Sequence, residues 1–265
     1  MRPSYVHGAS ATPLLGQTIG ENLDRAVARW GDREALVSCH QDVRYTYAEL
    51  GEAVDRLARA LLASGLEPGD RLGVWSPNRA EWVLVQYATA KAGIVLVNLN
   101  PAYRTSELEY ALRQSGCRAV IAAPSFKTSD YAAMIESVRG DLPQLEQVVL
   151  FDSPEWEALA AGTDADVELP ECQFDDAINI QYTSGTTGFP KGATLSHSNI
   201  LNNGYFVAEG CRHTEQDRVC IPVPFYHCFG MVMGNLGAVS HGAGMTIVEP
   251  FDVDPRLPIT IPKQW

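Results

Sequence analysis

Residues 178–192 read Ile178-Asn179-Ile180-Gln181-Tyr182-Thr183-Ser184-Gly185-Thr186-Thr187-Gly188-Phe189-Pro190-Lys191-Gly192. Its first five residues alternate apolar and polar, the period of a β-strand. Then come three glycines, three threonines and one serine around the single Lys191. Glycines let a backbone turn tightly and present its N–H groups to an anion. Hydroxyls add short donors and Lys191 a mobile point charge. A strand that runs into such a loop suits a polyphosphate. The spacing is not that of a Walker A loop. Counted from Gly185, Pro190 stands where the second glycine belongs, and Gly192 where the metal-binding Ser/Thr belongs.

Composition bounds what surrounds this loop. The chain has 265 residues and is 46% hydrophobic, enough for a sizeable core in one large or two small domains. Lys and Arg number 20 against 32 Asp and Glu, a formal net charge of −12. That balance argues against a nucleic-acid partner and against anionic membranes, yet leaves room for a local phosphate site. The six cysteines show neither a C-x-x-C pair nor zinc spacing, so they read as reduced thiols in a cytoplasmic protein. No signal-peptide core opens the sequence. Residues 219–248 carry no Asp, Glu, Lys or Arg, but Pro222, Pro224, His227, Asn235, His241 and five glycines interrupt them. Turns and a buried helix fit that stretch better than a membrane span.

Upstream, apolar periodicity alternates between strand and helix. Helices are expected at 18–30, from Thr46 to about Gly65, at 79–92, from a Ser106/Glu109 capping box to about Ser115, and at 130–139. Strands are expected at 35–39, 44–47, 71–75, 94–97, 119–122 and 147–150, which together make parallel β/α layers. Residues 152–176 are acidic and broken by Pro154, Gly162 and Pro170, with a short helical patch at 156–159. They read as a surface connection leading to the loop.

The order Tyr182-Thr183-Ser184-Gly185-Thr186-Thr187-Gly188, closed by Pro190-Lys191-Gly192, resembles the nucleotide loop of the adenylate-forming superfamily of acyl-CoA synthetases, aryl-CoA ligases, luciferases and peptide-synthetase adenylation domains. Tyr45 to Leu50, Gly65 to Val83, Ala90 to Pro101 and Pro224 to Gly230 resemble further segments of the same family in order, and the closest flavour is fatty-acyl-CoA synthetase. The resemblance implies an α/β fold: layered β/α subdomains of the family's N-terminal domain over residues 1–254, with a linker near 152–176 and the nucleotide loop at 182–192. It also implies ATP, Mg²⁺ and CoA as reactants or cofactors, and a carboxylic acid, a fatty acid by flavour, as substrate. Thr183, Ser184, Gly185, Thr186, Thr187, Gly188 and Lys191 would cradle the β- and γ-phosphates. His227 would stand beside the reacting carboxylate. Tyr226 and Phe225 would be walls, and Phe229 to Val239 would be either acyl-tunnel lining or core helix. Ser196 or Ser198 would cap the next helix, while His7, His40, His213 and His241 carry no expected site role.

The family's later Tyr-Gly-x-Thr-Glu-like and Thr-Gly-Asp-like motifs and its mobile C-terminal domain are expected to be missing, the fold being cut before its β-barrel is complete. Residues 255–265, with three prolines, read as a non-family tail. No protein ligand for the metal is assigned. Three readings follow. One is an ATP-dependent acid–thiol ligase working through an acyl-adenylate. The second is an inactive fragment or phosphate-binding interaction module, open to completion by a complementing polypeptide. The third is an adenylating enzyme for an aryl or amino acid.

Overall fold

The computed structural model describes residues 12–163, 165–183 and 190–248. Helix α1 (Ile19–Trp30) starts from a capping box: Thr18 accepts the Glu21 N–H, and Glu21 returns a carboxylate to the Thr18 N–H. Strands β1 (Glu34–Ser38) and β2 (Val43–Thr46) form a hairpin. Thr46 and Glu49 then open α2 (Tyr47–Ala63) with a second reciprocal box. The alternation continues through β3 (Arg71–Trp75), α3 (Ala80–Ala92), β4 (Val95–Asn98), α4 (Thr105–Ser115) and β5 (Ala119–Ala122). A two-residue hairpin, β6 (Ser125–Phe126) and β7 (Ser129–Asp130), precedes α5 (Tyr131–Arg139), β8 (Gln147–Leu150) and α6 (Pro154–Ala161). Strands β9 (Ala177–Thr183) and β10 (Lys191–Ser196), helix α7 (His197–Cys211) and β11 (Arg218–Ile221) follow. A π-helix at Phe229–Leu236, α8 (Gly237–His241) and β12 (Gly244–Ile247) end the described chain.

Two sheets result. One runs β10-β9-β4-β3-β5-β8, parallel except for the antiparallel β9/β10 pair. The other runs β11-β12-β1-β2, with β12 inserted parallel between β11 and β1. Helix α3 touches β1 of one sheet and β3 and β4 of the other. Every residue of α3 except Glu81 is therefore buried, as expected of a helix apolar on all sides. Its one buried cation, Lys91, is neutralised by Asp24 of α1 and Asp55 of α2. Among the described residues, no helix is long and apolar enough to cross a membrane.

Three local expectations change. The α4 cap lies not at Ser106/Glu109 but two residues earlier. The Arg104 N–H donates to Glu107 at 2.8 Å, and Glu109 pairs with Arg113 instead. Both pairs satisfy the i, i+3 spacing, so spacing alone does not choose between them. Tyr47, grouped with a strand in sequence, is the first residue of α2 and is fully buried, its hydroxyl donating to the Ala243 carbonyl at 2.8 Å. The charge-free stretch 219–248 holds two strands besides its helical segment.

Helix α7 crosses the π-helix at Gly204. A Cβ there would lie 2.7 Å from the Val232 carbonyl oxygen and 3.1 Å from the Gly237 nitrogen. Gly210, on the same helix, faces nothing within 4 Å. We therefore expect Gly204→Ala to lower stability by about 1–3 kcal/mol through overpacking. Gly210→Ala should raise it by roughly 0.5–1 kcal/mol through helix propensity. Paired thermal or urea melts of the two variants check the sign of each effect.

Candidate active site

The candidate site lies at the carboxyl ends of the parallel strands, the usual place for ligands in open α/β sheets. Thr183 ends β9, and Lys191 begins β10 directly opposite it in the antiparallel register. The Thr183 hydroxyl donates to the Lys191 carbonyl at 3.4 Å. These two residues bracket the loop. Of the remaining loop residues expected to cradle phosphate, Ser184, Gly185, Thr186, Thr187 and Gly188 lie outside the described residues. Sequence alone did not reveal that Ala193 to Ser196 complete a strand. Small, weakly apolar residues carry little period-2 signal there. The hairpin is buttressed by α4: the Tyr110 hydroxyl donates to the Pro190 carbonyl at 3.1 Å, and the Tyr182 hydroxyl to the Ala111 carbonyl at 2.9 Å.

His227 sits in the turn between β11 and the π-helix, with an exposed side chain. Its Nδ1 accepts the Phe229 N–H at 3.1 Å. The neutral ring then carries its proton on Nε2, a donor of the kind a carboxylate or carbonyl oxygen needs. Gly230 makes the turn possible, since a Cβ at that position would lie 2.5 Å from the Pro224 oxygen. Phe225 is buried against Trp82, with ring centroids 5.5 Å apart, and lines neither of the two clefts described below. The Cys228 thiol is pushed above its ordinary range by burial. Phe229 is exposed, whereas Met231, Val232 and Leu236 are buried, so this helix divides between surface and core.

Buried amides hold this turn from two sides. Asn78, just past β3, donates from Nδ2 to the Val223 carbonyl at 2.8 Å and accepts the Phe225 N–H at 2.7 Å. Gln181, on β9, donates from Nε2 to the Tyr226 carbonyl at 2.6 Å. Asn98, its register partner on β4, reaches the same carbonyl at 3.1 Å and Gln181 Oε1 at 3.2 Å. The hairpin that brackets the loop and the turn that carries His227 are thus tied to one pair of adjacent strands. Sequence reading missed Asn78, Asn98 and Gln181. Their only signal was polar residues at strand ends and in a period-2 alternation, which read equally well as a solvent face.

Two clefts lie near these strand ends, and the smaller adjoins the turn. One of about 290 Å³ is lined by Pro77, Asn78, Pro101, Phe126, Pro224 and Tyr226, among others, and is mostly apolar. A larger one of about 770 Å³ lies beyond the ends of β3 and β5, with the Arg79, Glu81 and Asp152 ion pairs in its wall, and contains neither Lys191 nor His227. Among the described residues, no group of three or more His, Cys, Asp or Glu side chains is placed to hold a metal ion.

His197, next to the loop in the family's order, is a structural residue. Ser196 caps α7 through a reciprocal pair with Asn199, and His197 is the helix's first residue, fully buried. Its Nδ1 accepts the Ile19 N–H at 3.1 Å, which satisfies a donor at the start of α1. Nε2 meets no partner among the described residues, and burial pushes the imidazole down to about 4.

The fold is that of the N-terminal domain of adenylate-forming ligases. The chain belongs to the family of AMP-binding enzymes, whose model matches residues 23–263 and so runs into the stretch read in sequence as a tail. It is 44% identical to the mitochondrial medium-chain acyl-CoA ligase ACSF2 of Danio rerio over 93% of this chain and 45% of that protein. A crystal structure of the N-terminal domain of FACL13 from Mycobacterium tuberculosis superposes with a TM-score of 0.77 at 28% identity, over 89% of this chain and 58% of that one. A fatty acyl CoA synthetase of the same organism gives a TM-score of 0.77 at 26% identity, over 89% and 45%. The chain therefore spans about half the length of the curated relatives it matches.

The low His197 value carries a sign. Folded protein binds fewer protons than unfolded protein between pH about 6.5 and 4, so stability falls as pH drops through that window. The loss is on the order of 2–3 kcal/mol over the window. His197→Gln should be less stable than the wild type at pH 7 but lose less between pH 7 and 4.5. Urea midpoints of both proteins at the two pH values test this.

Proposed function

We propose that this chain supplies the phosphate- and carboxylate-binding half of an acyl-CoA ligase that activates a fatty acid through an acyl-adenylate. The observation that carries the reading is the joint anchoring of the Thr183/Lys191 hairpin and the His227 turn on β9 and β4. Joining a carboxylate to a phosphate brings two anions together, so the site must offset repulsion and hold both in line. Lys191 and the loop hydroxyls answer the first need, and the Nε2–H of His227 answers the second by donating to the acid.

Mg²⁺ is assigned to the nucleotide's phosphates rather than to a protein cage, the usual state of a strongly hydrated ion with few protein ligands. It would supply charge neutralisation for the leaving pyrophosphate. CoA would deliver the thiol that takes the acyl group from the adenylate. The apolar cleft beside Tyr226 and the name of the zebrafish relative favour a fatty acid over an aryl or amino acid. Free cysteines throughout the described residues support a reducing compartment such as the cytoplasm.

The test is fatty-acid-dependent ATP–pyrophosphate exchange by the purified, folded chain. Exchange is expected, with Lys191→Ala lowering kcat/KM by roughly 10²- to 10³-fold, as for removal of one donor to developing charge. No exchange from a folded chain that still binds pyrophosphate would leave a phosphate-binding module, with or without a complementing polypeptide.

A further inference from the structure

The alternation at 178–182 gives β9 one apolar face and one amide face, and it is the amide face that is buried throughout, while Ile180 and Tyr182 on the apolar face are only half-buried. Asn179 is 1% exposed and Gln181 6% exposed. Asn179 Nδ2 donates to Asn98 Oδ1 and to the Leu96 carbonyl, each at 2.9 Å. Asn98 in turn contacts Gln181 Oε1, the Tyr226 carbonyl and Met231 Sδ. Gln181 Oε1 also accepts the Cys228 thiol at 3.5 Å. Gln181 therefore hydrogen-bonds with both neighbours of His227 in the chain, through the Tyr226 carbonyl and the Cys228 sulfur.

We propose that Gln181 is the positioning residue of His227. Its amide fixes residues 226 and 228, and so sets the direction of the imidazole between them relative to β9, whose next residues lead into the loop. A buried amide with both ends engaged has one orientation: rotating it by 180° would aim an oxygen at the Tyr226 carbonyl. That single orientation also protects the Phe229 N–H to Nδ1 contact, which keeps the proton of the neutral ring on Nε2. That His227 meets a carboxylate rests on the preceding functional reading. The positioning itself does not.

The experiment is ¹⁵N spectroscopy of the six histidine rings in the full chain, with His227 assigned by His227→Gln. In the wild type, His227 is expected as the Nε2–H form at neutral to alkaline pH. Gln181→Met should mix the two neutral forms of the His227 ring, while the His197 signals stay in place as a reporter of folding. Gln181→Asn draws the amide back by one methylene and should act in the same direction. An unchanged His227 tautomer in both folded variants would overturn the proposal. So would loss of the His197 signals in both, since Gln181 would then hold the fold rather than the ring.

Where the wild type shows exchange, kcat should fall roughly 10- to 100-fold in either variant, as for small misplacement of a reacting group, with KM for ATP little changed. A wild type without exchange would sink the functional reading alone, and the ring spectra would still decide the role of Gln181.

Discussion

A buried amide must find partners, and the pairing of Asn98 with Gln181 across β4 and β9 shows how far that requirement reaches. Either group left unmatched would cost about 1–3 kcal/mol. The Tyr226 carbonyl answers both, so the turn before the π-helix can settle in one place only. Asn78 imposes the same condition from the end of β3. From there the polar chain runs into the core: Gln86 of α3 donates to the Met231 carbonyl and accepts from Asn235. The π-helix, the His227 turn and the loop-bearing hairpin are thus located by hydrogen bonds made inside an otherwise apolar interior. Apolar packing brings these elements together, but it is less selective about direction.

The apolar part of the design centres on α3. Sandwiched between two sheets, it contributes Trp82, Val83, Val85, Tyr87 and Ala88 as fully buried side chains. Lys91 near its end shows the cost of such a position. A cation this deep needs two carboxylates, and they come from α1 and α2, so all three helices share one electrostatic knot. Stacking of Trp75 on Tyr131, with centroids 3.6 Å apart, joins the end of β3 to α5 on the other side of the sheet.

How much of this could be read from the chain depended on the range of the interaction. Helices and strands up to residue 150 were legible because period, caps and glycine stops are local signals. The start of α2 at Thr46 and the β3 strand were read directly. The α4 cap went to Ser106 because Arg104 is a poor cap by composition, and it is Glu107 reaching back to a backbone N–H that makes the start. Strand β10 was invisible because its partner, β9, supplies what its own residues lack. The loop and His227 were singled out through residue order. Their supports were not, since Gln181 meets Tyr226 across 45 positions and Asn78 meets Phe225 across 147. An amide at an alternating strand position reads as surface until the element that covers it is known. His197, a few residues past the loop, is joined by the fold to the start of α1.

The place of β12 bears on how the chain is made. It sits between β11 and β1, parallel to both, so β1 waits for a partner that lies about two hundred positions later in the sequence. At synthesis rates of 5–20 residues per second, one side of β1 stays open for roughly 10–40 s on the ribosome. The start of α1 waits as well, because the His197 ring that accepts the Ile19 N–H lies 178 positions away. The N-terminal third of this protein is thus committed to a long interval with an open strand edge and an unfinished helix. An apolar strand such as Ala35-Leu36-Val37 is the segment most exposed to wrong pairing in that interval.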